Sequence, residues 1–366
     1  MPIFRPRLGP LAAGAAVLVA LPVVFLGGCG ESGDDATTAT PNASGAPITS
    51  TTRVAGANVL GNDRRPDESC PADPPPPAEG PERREVRHAA GSTEVVADPR
   101  RIVVLSGDQL DALCALGMQS RIVAAAVPDG SQEQPSYLGS VIHDLPAAGS
   151  ETEPDLDAIR EANPDLILGS EGLTPGEFGD LSRIAPTVFT GPPGPGWQDT
   201  LRTVAAAVGR EGAATPLLEG FDADAKKRAA QNDTTHFQAS VVRLMDDTAQ
   251  ISGIDDFPGS VLAIAGVDRP SAQRFTDKPY VEIGTADLSE ADFAQAEGDV
   301  VFVSFGSPAA RQRARDVLDS EAWRRLSASK DGRVFVVNDE VWQSGEGIVA
   351  ARAMLPDLRF VNSPVN

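Results

Sequence analysis

From residue 99 onward the chain alternates short apolar runs with amphipathic segments, and this alternation restricts the fold more than any other feature. RRIVVLS is an apolar run of strand length. DQLDALCALG follows, with Asp108 placed to cap a helix, apolar residues at helical spacing and Gly117 to end it; RIVAAAV is a second strand. PDLDAIREAN then runs into PDLILGS, and FGDLSRIAP into TVFTG. Strands interleaved with helices imply crossover connections, and so a largely parallel sheet covered on both faces.

The middle of the chain is helical. GWQDTLRTVAAAVG places Leu201, Val204, Ala205 and Val208 on one face and stops at Gly209. Thr215, with Pro216 in the first turn, is expected to open a second helix that runs to about Gln231, which at 1.5 Å per residue is about 25 Å long. The alternation resumes in HFQASVVRLM, AQISGI, GSVLAIAGV, DVVFVSF, AARQRARDVLDSEAWRRL and RVFVVND, and a last helix is expected from about Gly345 to Leu358. The expected fold is therefore α/β, with two Rossmann-like lobes (98–195 and 233–366) joined through helices at 196–232 that include one long interlobe rod. One rod between two lobes predicts a small closure motion.

The N-terminus reads differently. Arg5 and Arg7 precede an apolar stretch from Leu8 to Leu26, and small residues end the run where a signal peptidase needs room. Pro10 and Pro22 leave it short for a spanning helix. LGGC, Leu26 to Cys29, resembles the lipobox of bacterial lipoproteins, which makes 1–28 a signal peptide and Cys29 the lipidated first residue of the mature chain. From 29 to 97, stretches such as DDATTATPNASGAPITSTT and ADPPPPAEGPERR bury too little surface to offset ordering entropy, so a flexible tether is expected there. With Cys29 taken by lipid, Cys70 and Cys114 form an even pair able to close a disulfide outside the cytoplasm. The competing reading keeps Cys114 as a core thiol on the helical face of Leu110 and Leu113. A formal net charge of -21 excludes nucleic acid as a broad electrostatic partner.

The order of pieces resembles the substrate-binding proteins that serve ABC importers of iron-siderophores, haem and cobalamin, a class III fold in which one long helix joins two α/β lobes. The resemblance rests on RIVVLSGDQLDALCALG, EPDLDAIREANPDLILGSEG, GVDRPSAQRFTDKPYVEIG and EAWRRLSASKDGRVFVVNDEVWQSGEGIVAARAMLPDL, and covers about residues 98–362. It implies a monomeric lipoprotein at the extracytoplasmic face of the bacterial membrane, with no intrinsic cofactor. Its ligand would be a ferric siderophore, with haem as an alternative cargo, and its partner an ABC permease.

In such a fold the loops at the carboxyl ends of strands line the cleft. Large ferric complexes need flat apolar walls and Arg forks for anionic oxygens. The expected ligand contacts are Gln109, Tyr137, Trp197, Arg243, Phe257, Arg269, Arg274, Tyr280 and Trp342, with DRPSAQRFTDKPY forming a local positive patch in an acidic protein. The opposing reading of that patch is a solvated loop whose Arg residues pair with nearby acids. Trp323 is expected in the core. Three histidines are too few for a bare transition-metal carrier, although Tyr137, Tyr280 or His236 would serve as a haem axial ligand. No G-x-S-x-G, P-loop or H-E-x-x-H motif supports an enzyme.

The family docks on its permease through an acidic residue from each lobe. Asp157 matches the first-lobe position, whereas in the second lobe Ala286 takes the expected Glu place beside Asp287. That departure keeps a second expectation open, an envelope interaction lipoprotein using the same fold without a dedicated permease.

Overall fold

The computed structural model describes residues 53–362. Cys29, the segment 1–28 and the first part of the expected tether lie outside them. Residues 53–97, expected to be spacer, instead carry four strands: β1 (Arg53–Val54), β2 (Ala57–Val59), β3 (Arg83–His88) and β4 (Gly91–Val96). β3 and β4 form an antiparallel hairpin that buries Val86 and Val95, one residue from each strand. The Arg84 guanidinium fixes this hairpin to the neighbouring helix by donating to the carbonyls of Ala97, Ala206 and Ala207.

The first lobe follows with β5 (Ile102–Val104), β6 (Ile122–Val127), β7 (Ala147–Ser150), β8 (Leu166–Ser170) and β9 (Thr187–Thr190). They form an all-parallel sheet in the order β7-β6-β5-β8-β9. Both faces are apolar because helices cover both, and Ile102, Val103 and Val104 are fully buried in succession.

The second lobe contains β10 (Ala239–Leu244), β11 (Thr248–Ser252), β12 (Tyr280–Gly284), β13 (Val300–Phe305) and β14 (Val334–Val336). Its seven-stranded sheet runs β1-β2-β14-β13-β10-β11-β12. β10, β13, β14 and β2 are parallel, while β11 and β12 turn antiparallel at one edge. The opposite edge is completed by the N-terminal segment.

The rod between the lobes spans Glu211–Asn232, beginning four residues earlier than expected and taking Pro216 inside it. At 1.5 Å per residue its 22 residues extend about 33 Å. It buries Ala214, Leu218, Phe221 and Ala225, a single stripe, and ends where Asp233 adopts a left-handed backbone. One hydrophobic core continues from this rod through the helices Gly107–Ala115, Trp197–Ala207 and Ile348–Met354 into both sheets. Cys70 and Cys114 form a disulfide that joins the N-terminal segment to the first of these helices.

Candidate ligand-binding cleft

Parallel strands deliver their carboxyl ends to one side of each lobe, and there the lobes meet. On the second lobe, Arg243 near the end of β10 makes a two-pronged contact with Asp339, just beyond β14. Its Nε donates to Oδ1 at 3.0 Å and Nη2 to Oδ2 at 2.7 Å. Ser304 on β13 donates to the same Oδ1 at 2.8 Å. The fork is pre-formed, because the planar guanidinium matches a carboxylate edge to edge.

Arg243 borders a hollow of about 150 Å³ whose other walls are Gln250, Ser252, Asp256, Phe257, Pro258, Pro279, Tyr280, Gln343 and Glu346. Small-molecule sites usually hold at least ~300 Å³, and this hollow is smaller than that. The loop carrying Gln343 and Glu346 reaches the first lobe. A Cβ on Gly107 would stand 3.1 Å from the Ser344 carbonyl oxygen and 3.4 Å from Glu151 Oε1. The Gly107 amide donates to Glu151 at 2.7 Å. Glu340 completes the seam by accepting from the Ser136 hydroxyl and the Ser136 and Tyr137 amides.

The electrostatics of this junction are acidic. Burial pushes Glu346 up to about 8, helped by Asp108, Glu151 and Asp256, with Arg243 pulling the other way. Burial also raises Glu151 to about 7 against the Gly107 amide, with Asp108 and Asp129 adding to the rise. Asp256 is raised by burial too. Glu346 sits in the left-handed region at φ +48°, which is unfavourable for a residue with a side chain. Its carboxyl has no hydrogen-bond partner among the described residues, and Gln343 Nε2 is buried beside it without an acceptor.

Several expected contacts serve the fold instead. Trp197 is buried edge-on to Phe221 and Phe257, its indole donating to Ser260. Trp342 lies 4.5 Å from the Phe302 ring and donates to Asp357. Phe257 is wholly buried but still forms part of the wall of the hollow, as expected for a ligand contact. Tyr137 is buried and donates to Asp111, and it borders a different hollow beside Asn338 and Val341 rather than the one at Arg243. Gln109 is buried, its amide bonded to the Gly169 carbonyl and Thr190. Arg269 is buried and donates to the carbonyls of Ala239 and Ser252. Arg274 pairs with Asp268 and, with Arg269, borders a different hollow. The opposing reading of that basic loop, solvated Arg residues paired with acids, describes Arg274, whereas Arg269 is a buried tie to backbone carbonyls.

Arg243 and Tyr280 do line the hollow, and Tyr280 is 41% exposed. Trp323 is in the core against Phe293, as expected. Asp157 and Asp287 are both exposed. His236 pairs with Asp233, and among the described residues no three His, Cys, Asp or Glu side chains gather as a metal site. The acids Glu151, Asp339 and Glu346 were not foreseen as site residues. The only local sign for Glu346 is its position between Gly345 and Gly347.

Two lobes, one rod and a cleft at the strand ends define a class III solute-binding protein. A profile of the periplasmic binding protein family matches residues 102–341, and the chain belongs to that family. Its members bind solutes outside the cytoplasm and are not enzymes. A probable siderophore-binding lipoprotein of Bacillus subtilis, YfiY, is 32% identical over 284 residues, covering 75% of this chain and 86% of that protein. The Staphylococcus aureus SirA structure in complex with staphyloferrin B superposes with a TM-score of 0.64 at 25% identity, covering 75% of this chain and 97% of SirA. The petrobactin-binding YclQ of Bacillus subtilis shares the fold with a TM-score of 0.63 at 22% identity, covering 77% of this chain and all of YclQ.

Proposed function

We propose that this protein is the lipid-anchored, extracytoplasmic receptor of an ABC importer and captures a ferric siderophore between its two lobes. The observation that carries the reading is the match along most of the chain to a siderophore-binding lipoprotein, joined to a second-lobe hollow whose Gln343–Glu346 loop meets the first lobe at Gly107. Cys29 would carry the anchor. Asp157, exposed on the short helix Leu156–Glu161, and Asp287, exposed in a turn closed by Ser289, would be the acids that meet basic residues of a permease. A monomer is the expected state. Haem has weaker support, because Tyr137 is committed to Asp111 and Tyr280 is left as the tyrosine that faces the hollow.

The test is titration of intrinsic tryptophan fluorescence with ferric siderophores of the hydroxamate, catecholate and carboxylate classes, and with haemin. Saturable quenching at micromolar or lower concentration by a ferric siderophore supports the receptor. No response to any of them would remove it and leave the scaffold lipoprotein.

A further inference from the structure

The hollow does not carry the positive patch that anionic iron complexes call for. Arg243 is the one cation lining it among the described residues, and its guanidinium fork is spent on Asp339. Arg269 and Arg274 are committed elsewhere. Lys278 stands two residues from Tyr280, with its ammonium over the Phe275 ring at 5.7 Å. Against these, Asp256 and Glu346 line the hollow, and Glu151 and Asp108 approach from the first lobe with Asp129 beyond them.

Resting on the receptor reading above, we propose that the cleft selects ferric hydroxamate complexes bearing a positive charge, with Glu346 as the residue that recognises that charge. Three hydroxamates, each singly negative, neutralise ferric iron, so a free ammonium on the same ligand makes the complex a cation. Three catecholates, each doubly negative, leave a triply negative complex. An anion of that kind would be pressed against Glu346, Glu151 and Asp256 with little counter-charge free. A cation supplies what the unpartnered Glu346 carboxyl lacks, and the idle Gln343 Nε2 beside it is a donor for a hydroxamate oxygen. In the empty cleft, burial and neighbouring acids hold Glu346 and Glu151 partly protonated near neutral pH. A bound cation returns them to carboxylates and so releases protons, and its affinity rises with pH between about 6 and 8. An anion has the opposite dependence.

Calorimetric titration of the purified protein with three probes tests this. They are the ferric complex of desferrioxamine B, which carries one ammonium; the same complex with that amine acetylated, which is neutral and has the same iron centre; and ferric enterobactin, which is triply negative. The expected order is cation, then neutral, then anion. Acetylation should weaken binding about tenfold, equivalent to about 1.4 kcal/mol. Affinity for the cation should rise from pH 6 to pH 8. Glu346→Gln should remove most of the difference between the cation and its acetylated form, with Glu151→Gln as a second variant, each checked for an intact fold by circular dichroism. Equal affinity for cation and acetylated form, or a preference for enterobactin, overturns the charge selection and leaves the receptor standing. Binding of none of the three also overturns the charge selection, and the receptor reading is then decided separately by the carboxylate-class and haemin titrations above.

Discussion

Asp111 of the first lobe caps the helix that begins at Ile348, accepting from the Val349 amide at 2.8 Å and the Ala350 amide at 2.9 Å. The capping residue is 238 positions away in sequence. Gly347 permits the approach, since a Cβ there would stand 2.3 Å from the Asp111 carboxyl. The same carboxyl accepts from the Tyr137 hydroxyl at 2.9 Å, so three donors converge on one buried acid. Asp111→Ala leaves both amides without a partner and the Tyr137 hydroxyl with only the Gly345 carbonyl at 3.4 Å, and should cost on the order of 3 kcal/mol. Urea unfolding checks this; a loss below about 1 kcal/mol would mean that water replaces the carboxyl there.

Three buried carboxyls give stability a definite pH dependence. Asp111 is raised to about 7 by burial, Glu151 to about 7 and Glu346 to about 8. A raised acid binds its proton more tightly in the folded protein than in the unfolded chain. Its contribution is therefore fully present below the unfolded values of 3.8 and 4.5, and is lost as pH climbs through 7 and 8. His88, lowered by burial, has the opposite sign, since its unfolded form gains a proton first as pH falls through 6.5, but it stands alone against several raised acids. The ligand-free protein should lose a few kcal/mol, on the order of one unit of pKa shift or more per acid, between pH 5 and pH 8. Urea midpoints at pH 5, 6.5 and 8 measure it, and a midpoint that stays constant or climbs contradicts the assignment.

The disulfide between Cys70 and Cys114 closes a loop with a sequence separation of 44. In the chain-entropy account, a loop of that length stabilises the fold by about 4 kcal/mol. Cys70→Ser, or reduction of the native protein, should lower the melting temperature by several degrees. The Cys70 variant is the cleaner test because Cys114 is fully buried. An unchanged melt would show that the N-terminal segment holds without the bridge.

Arg269 and Tyr280 lie near each other in sequence and should behave in opposite ways. Arg269→Met strands two buried carbonyl acceptors, those of Ala239 and Ser252, and should cost about 2 kcal/mol with little change in ligand affinity. Tyr280→Ala removes an exposed ring from the rim of the hollow and should weaken siderophore binding about tenfold, or about 1.4 kcal/mol, with an unchanged melt. Thermal melts and fluorescence titration of both variants separate the roles. A reversed pattern would move the site to the loop around Arg269.

The α/β alternation was legible because buried parallel strands such as Ile102–Val104 are uniformly apolar and the helices between them are periodic; the cap expected at Asp108 is not made, since Ser106 holds the cap position and Asp108 lies inside the helix, accepting from the Ser106 and Thr200 hydroxyls. The N-terminal strands were not legible. β1 and β2 have two and three residues; β2 gains its place from β14, far along the chain, and β1 pairs only with β2. In β3 and β4 the alternation around Val86 and Val95 was present but overshadowed by flanking Arg and Glu. The site was less legible than the fold. Trp197, Trp342 and Phe257 have the composition of a cleft wall, yet only packing decides whether a ring faces solvent or core, and each has an aromatic neighbour from a distant segment. Arg269 carries charge in the sequence but acts as a tie between two strands. The acids at 151 and 346 acquire their importance by coming together, and single positions do not announce that.

The crossing of residues 61–69 from one half of the molecule to the other has a mechanical consequence. At one end the chain is stitched into the second sheet, where the Leu60 amide donates to the Val336 carbonyl; at the other it is bolted to the first half through sulfur. Between those points Asp67 accepts from the Ser140 amide, and Ser69 donates to the Tyr137 carbonyl. Any widening of the mouth must peel this strap as well as bend the rod, so cargo is met by a jaw of nearly fixed gape. Discrimination then falls to the lining of that jaw, and swapping a few side chains should redirect which iron complex is taken without altering how far the halves part.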